Sequence, residues 1–260
     1  MPMFDSHAHV MDSAFDEDRV ILIQKLFASG IAGWMEVGTS VEESKKAIAL
    51  AETEERIIAS VGVHPNELAG LTEADWEQLA QLADHQKVKA IGEVGLDFSR
   101  GIDIEFQEAG LRKFITLAQE KTLPIIFHVR SGNAIDAHTE LIRVLESYTS
   151  NLRPLGVIHT FSGTLLQAQK YIQLGMMISF SGVLTFKNAG ELPEVAKSIP
   201  LESILVETDC PYLTPGPLRG KRNDPSLVKY VIQKVAQLRG GSVENIREIT
   251  LNNAKKLFSI

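Results

Sequence analysis

Short β-branched runs and longer amphipathic stretches alternate along the whole chain. The first apolar run ends at His7 to His9, and a helical pattern follows over 19–29, stopped by Gly30. The next pairs are a strand over 33–37 with a helix over 42–54, a strand over 57–63 with a helix over 73–83, and a strand over 88–94 with a long helix over 104–120. In that long helix Leu111, Phe114, Ile115 and Ala118 recur at i, i+3, i+4 and i+7, the stripe of a helix with one buried face. Strands over 124–129, 155–159 and 176–180 then alternate with helices over 134–148, 165–174 and 191–198, and 203–207 is the last strand. Asp224-Pro225 opens another helix, with Asp suited to the N-cap and Pro to the first helical position. Its buried stripe is Val228, Val231, Ile232 and Val235, and a final helix runs over 243–258.

Eight strand–helix units in 260 residues imply parallel pairing with right-handed crossovers. The count, the length and the nearly continuous apolar strands predict an α/β fold, a closed (β/α)₈ TIM barrel with an extra C-terminal helix, as one domain over 1–260. An open doubly wound sheet is the rival, but it calls for a Gly-rich phosphate turn after strand one, where His7-Ala8-His9 stands.

In such barrels the chemistry sits at the C-terminal ends of the strands. Those ends carry His7, His9, His64, Glu93, His128, His159 and Asp209, so five of the seven histidines fall there. His85 and His138 lie on helices, where a solvated surface role is expected. Strand alternation projects Asp5, His7 and His9 to one face. Mixed imidazole and carboxylate donors suit zinc, manganese or another transition metal better than calcium. Six donors exceed one tetrahedral ion, so we expect two ions bridged by Glu93, with His7, His9 and Asp209 completing one site and His128 and His159 the other. That is an arrangement for hydrolysing a phosphoester. Glu207 shares strand parity with Asp209 and is expected to orient a ligand or loop; Asp5 does the same or is simply structural. Cys210 reads as a small packed residue rather than a nucleophile.

Composition narrows the function classes. A formal net charge of −7 argues against coating nucleic acid through a basic surface, though not against a metal-dependent nuclease. The single cysteine rules out an intrachain disulfide. No apolar run approaches the ~18 residues of a membrane span, and no signal peptide is visible, so a cytoplasmic protein is expected.

The segments DSHAH (5–9), GVHP (62–65), GEVGLD (92–97), LPIIFHVR (123–130), HTFSG (159–163), ISFSG (178–182), ETDCPYL (207–213), RGKRNDP (219–225) and LNNAKKLF (251–258) run in order across the chain. Together they resemble the TatD family of metal-dependent hydrolases, in its bacterial cytoplasmic branch. The resemblance implies a somewhat distorted barrel and two divalent metal ions, Zn, Mn or Mg. The family ligands fall on His7, His9, Glu93, His128, His159 and Asp209. It also implies hydrolysis of ester bonds, with DNA ends as a frequent substrate class. Asn66 after His64-Pro65, and the short stretch 98–103 carrying Arg100, depart from many relatives at the mouth of the site.

The leading expectation is therefore a phosphodiesterase or deoxyribonuclease, 3'-5' exonuclease-like, with Glu93 and Asp209 catalytic. His64, Arg130 and Arg222, with Lys187 and Lys221, are the candidate substrate contacts. The expected partners are DNA strand ends or another small phosphoester, with no membrane, the protein being a monomer or weak oligomer. The alternative is a deacylase or amidohydrolase acting on a carboxylic ester or C–N bond, aminoacylated RNA included. Cyclic-amide hydrolases of related barrels often carry a modified lysine at the end of strand four. Glu93 holds that place here and Lys89 stands at the strand's start, which favours phosphoester or simple ester chemistry. A non-enzymatic metal-binding barrel is the third reading, disfavoured by the complete ligand shells.

Overall fold

The computed structural model describes residues 2–101, 103–148 and 155–260. Eight strands, β1 (Met3–Ala8), β2 (Ile31–Glu36), β3 (Ile57–Val61), β4 (Val88–Asp97), β5 (Ile125–Arg130), β6 (Gly156–Ile158), β7 (Met176–Phe180) and β8 (Ile204–Val206), pair in chain order, all parallel. A bridge between Ala8 and Cys210 joins the last strand to the first. The Asp209 N–H to the His7 carbonyl and the His9 N–H to the Cys210 carbonyl, both 2.9 Å, make this a nearly closed (β/α)₈ barrel.

The helices alternate with the strands: α1 (Arg19–Ala28), α2 (Val41–Thr53), α3 (Glu73–Leu82), α4 (Ile104–Lys121), α5 (Ala137–Glu146), α6 (Leu165–Gln173), α7 (Leu192–Ser198) and α8 (Val228–Arg239). Local chemistry sets their starts. The hydroxyls of Ser40 and Thr72 and the carboxylate of Asp103 accept backbone N–H groups three residues on, satisfying donors that a helix start leaves open. Asp224 accepts the Ser226 N–H at 2.9 Å and Pro225 follows it, as the sequence suggested, although the first turn there is 3-10 over Pro225–Leu227.

The added helix, α9 (Val243–Phe258), covers the N-terminal mouth of the barrel. Its Ala254 and Phe258 join Phe4, Met35, Ile58, Ala90, Ile126, Val157 and Leu205 in the cluster that fills the lower barrel. Above this layer the lumen narrows to small side chains, Ser6 and Ser179 among them, whose hydroxyls lie 3.2 Å apart. Large imidazoles fit above because small residues lie below.

Two irregularities decide which side chains enter the upper mouth. Between Asp5 and Ala8 the first strand carries one more residue than its partner, and between Ile91 and Val94 the fourth strand does the same. Such a bulge reverses the alternation. Phe4 and Ser6 face inward, and after the bulge so does His7; Asp5 turns outward, where its carboxylate accepts the Thr208 N–H (2.8 Å) and hydroxyl (2.5 Å). The expected shared face of Asp5, His7 and His9 is thus corrected: Asp5 ties β1 to the segment after β8. Glu93 likewise lies at a bulge within β4 rather than at its end, since pairing with β5 continues to Asp97 opposite Arg130. Gly95 permits that continuation, because a Cβ there would stand 2.0 Å from the His128 carbonyl oxygen.

His138 corrects a second expectation. It is buried, on the same stripe of α5 as Leu141 and Leu145, three and seven residues on. Its Nδ1 lies 3.3 Å from the Tyr171 hydroxyl and its Nε2 3.2 Å from Ser162 Oγ. Burial pushes its pKa down to about 4. The folded state therefore binds that proton less readily than the unfolded chain, and stability falls as pH drops from about 6.5 toward 4. His138→Gln is expected to lose on the order of 2 kcal/mol of the stability difference between pH 7 and pH 5. Melting curves at the two pH values check this; an unchanged pH dependence would show that another group controls it.

Candidate metal centre

The upper mouth gathers every donor that the sequence nominated. Around one point stand His7 Nε2, His9 Nε2, one Glu93 oxygen and Asp209 Oδ1. His7 Nε2 is 3.2 Å from His9 Nε2, 3.2 Å from Glu93 Oε2 and 3.6 Å from Asp209 Oδ1. His9 Nε2 is 3.5 Å from Asp209 Oδ1 and 3.9 Å from Glu93 Oε2. Around a second point, Glu93 Oε1 lies 2.6 Å from His128 Nδ1 and 3.0 Å from His159 Nε2, with those two nitrogens 3.2 Å apart. Four ligands at ~2.0–2.1 Å around a tetrahedral cation stand roughly 3.3 Å from each other. The donor distances, 2.6 to 3.9 Å, lie around that value, and the triads His7–His9–Glu93 and Glu93–His128–His159 are each able to hold a metal ion.

The outer nitrogens orient the rings. His9 Nδ1 faces the Val37 carbonyl at 3.2 Å, His159 Nδ1 faces Glu207 Oε1 at 3.4 Å, and His128 Nε2 faces Asp97 Oδ2 at 3.3 Å. An N–H donated outward leaves the inner nitrogen a lone pair for a cation. Among the described residues neither His7 Nδ1 nor His159 Nδ1 has a hydrogen-bond partner; the two rings are held by stacking on each other, with centroids 4.0 Å apart.

The charges point the same way. Burial alone would raise Glu93, but His159, His128 and His7 hold its carboxyl well below the ordinary range. Burial would lower His159, yet Glu93 and Glu207 hold it well above. His9 is pushed up to about 9 by Asp209 and Glu93 against the same burial, whereas His7, buried and facing His159, goes down. The carboxylates call for more positive charge than four crowded imidazoles can carry together. A metal ion held among these donors would supply that charge and leave the rings neutral.

Backbone strain is spent here. Asp209 has φ 55° and Thr160 φ 41°, left-handed conformations unusual for a β-branched residue above all. Glu207 Oε1 holds Thr160 by accepting its N–H (2.5 Å) and its hydroxyl (2.6 Å). Asn223 Nδ2 supports Asp209 from behind, donating to the carbonyls of Thr208 (2.9 Å) and Tyr212 (2.6 Å). Cys210 is buried and burial pushes its thiol up, in keeping with a packing role.

The donors face a cavity of about 930 Å³. His64, Arg130, Asn66 and Arg100 line it; Arg222 does not. The guanidinium of Arg222 pairs with both oxygens of Asp18 at 2.8 and 2.7 Å, donates to the Ala14 carbonyl at 2.6 Å and lies over the Phe15 ring. Both terminal nitrogens are engaged, so its nomination as a substrate contact is withdrawn. Lys187 and Lys221 are also not among the lining residues.

Two acidic residues were missed. Asp97 closes GEVGLD, and only the extension of β4 past the bulge brings it to His128; its oxygens also accept from Asn66 Nδ2 (3.0 Å) and Ser99 Oγ (2.6 Å). Glu36 ends β2, a strand-end signal that was available; it is buried, accepts the Met11 N–H (2.8 Å) and Trp34 Nε1 (2.9 Å), and burial pushes it up to about 7.

An eight-stranded parallel barrel with this histidine–carboxylate nest in its mouth is the architecture of a metal-dependent hydrolase. Residues 4–259 match the TatD related DNase family, and the chain belongs to that family as one of its metal-dependent hydrolases. It is 38% identical over 259 residues to an uncharacterized metal-dependent hydrolase, YabD, of Bacillus subtilis, covering 99% of each chain. It is 35% identical over 264 residues to the 3'-5' ssDNA/RNA exonuclease TatD of Escherichia fergusonii, again covering 99% of each. Among solved structures, YjjV, a TatD homologue from Escherichia coli K12, superposes with a TM-score of 0.90 at 31% identity, over 99% of this chain and 98% of that one.

Because Asp97 fixes the His128 ring, Asp97→Asn is expected to weaken divalent-cation binding by about ten- to a hundredfold. Competition against a chromogenic chelator measures it, and unchanged affinity would show that His128 holds its orientation without the carboxylate.

Proposed function

We propose that the protein is a phosphodiesterase that trims single-stranded DNA or RNA from the 3' end, using two divalent cations. The observation that carries this reading is the placement of Glu93, whose two oxygens face different donor sets. His7, His9, Asp209 and Glu93 would hold one cation, and Glu93, His128 and His159 the other. Such a pair acidifies a water and offsets charge on the ester oxygens. The exonuclease name of relatives about a third identical supports the substrate class.

The chain's own groups have separate tasks. Glu93 stays ionised because the imidazoles hold it so. Asp209, at the open edge of the nest, takes the proton of the attacking water. His64 is pushed down to about 4 by burial and by His128, so it is neutral near pH 7. Its Nδ1 accepts the Asn66 N–H at 3.2 Å, which leaves Nε2 carrying the hydrogen. That N–H is a donor for a phosphoryl oxygen over the nest.

His128→Ala, assayed in metal-defined buffer on end-labelled single-stranded DNA, should lower turnover by on the order of a hundredfold or more. An undiminished rate would remove the two-cation mechanism. A parallel panel of a carboxylic ester and aminoacylated RNA should be turned over poorly; preference for either would replace this reading with the deacylase one.

A further inference from the structure

The rim of the cavity is electrically divided. On the side built from the loops after β1, β2 and β3 stand Asp12, Asp16, Glu43 and Glu67, with Lys46 among them. Glu43 is paired with Lys46 at 2.8 Å and Asp16 with Arg19 at 2.5 Å. Asp12 and Glu67 have no cationic partner among the described residues. On the side built from the ends of β4 and β5 stand Arg100 and Arg130, both exposed and, among the described residues, with no carboxylate in reach. In an eight-stranded barrel in chain order, β5 lies opposite β1 and β4 opposite β8, so Arg130 faces the Asp12 loop and Arg100 faces the segment after β8 across the donor nest, while Glu67, after β3, flanks the arginine side.

Tyr212, after β8, stands on the same side as Asp12. Its side chain is 55% exposed although it lines the cavity. Its hydroxyl donates to Asp12 Oδ2 at 3.0 Å and its ring meets His9 edge-on, with centroids 6.5 Å apart. The ring is thus fixed beside the nest with one face open. An exposed aromatic held beside the path of a single strand is a stacking platform for a base.

Resting on the phosphodiesterase reading above, we infer that a single strand crosses the mouth in one sense. The terminal nucleotide lies on the acidic side with its base on Tyr212, and the retained, polyanionic strand leaves over Arg100 and Arg130. Asp12 repels further phosphates there, so that side admits an end and refuses a continuous strand. The division of the rim thereby restricts the protein to strand ends, and the two arginines give it affinity that grows with strand length.

The test compares oligothymidylates of three and twelve nucleotides, with KM from turnover by the metal-loaded protein and Kd from fluorescence anisotropy at several salt concentrations. Arg100→Gln with Arg130→Gln should raise the twelve-mer KM and Kd by about tenfold or more and the three-mer values by less than about threefold. The double variant should also lower the salt slope by roughly 1.4, near 0.7 for each lost phosphate contact. Tyr212→Ala should raise KM about tenfold for both lengths, and Tyr212→Phe, which keeps the ring, should recover most of it. Equal effects at both lengths, or an unchanged salt slope, would overturn the inference; wild-type melting and metal content in each variant remove misfolding as the cause. Twelve-mer binding with the expected slope but no turnover would count against the phosphodiesterase reading alone. Turnover without length dependence would count against this inference alone.

Discussion

The upper barrel depends on one buried carboxylate. Glu93 lies among five histidines, with His128, His159 and His7 each within 3.2 Å of one of its oxygens and His64 and His9 within 3.9 Å. An ionised carboxylate removed from water is unfavourable unless positive charge is brought to it. Everything around Glu93 answers that requirement: the crowding of the imidazoles, the opposed shifts of His7 and His159, and the outer acceptors that turn the His9 and His128 rings. The nest is built for cations, and its donor spacing follows from it.

The scaffold meets this demand by departing from a regular barrel at two points. A strand of strict alternation would carry His7 and Glu93 to the helical side. One extra residue in β1 and one in β4 return them to the lumen, while Asp5, ahead of the first slip and between inward Phe4 and Ser6, points outward and locks Thr208. Glycine makes the second bulge possible, since a Cβ on Gly92 would lie 2.7 Å from that of Ile126. At the opposite mouth α9 packs Phe258 against Phe4, with ring centroids 6.4 Å apart, so the lower barrel is filled by side chains and the opening is confined to the donor end.

Much of this was legible in the order of residues. Alternating apolar runs and helical stripes give strand count, chain order and the extra helix, because burial of one face imposes those periods locally. The six donors could be named because histidine and carboxylate recur where the strand patterns stop. His138 was misread although the signal was present: it shares its stripe with Leu141 and Leu145, and a histidine on an apolar stripe follows that stripe inward. Glu36, at the end of β2, was equally within reach.

The sequence by itself determined the element order, the barrel class and the chemical identity of the donor set, since each rests on local pattern or on residue type. Tertiary structure alone decided which face His7 and Glu93 occupy, that Asp97 supports His128, that Arg222 is taken by Asp18, and that Arg100 and Arg130 stand across the mouth from Asp12 and Tyr212. The physical reason is common to all four. A bulge, a salt bridge or a rim is a relation between strands distant in the chain, and the free energy that selects it belongs to the closed barrel rather than to any one segment.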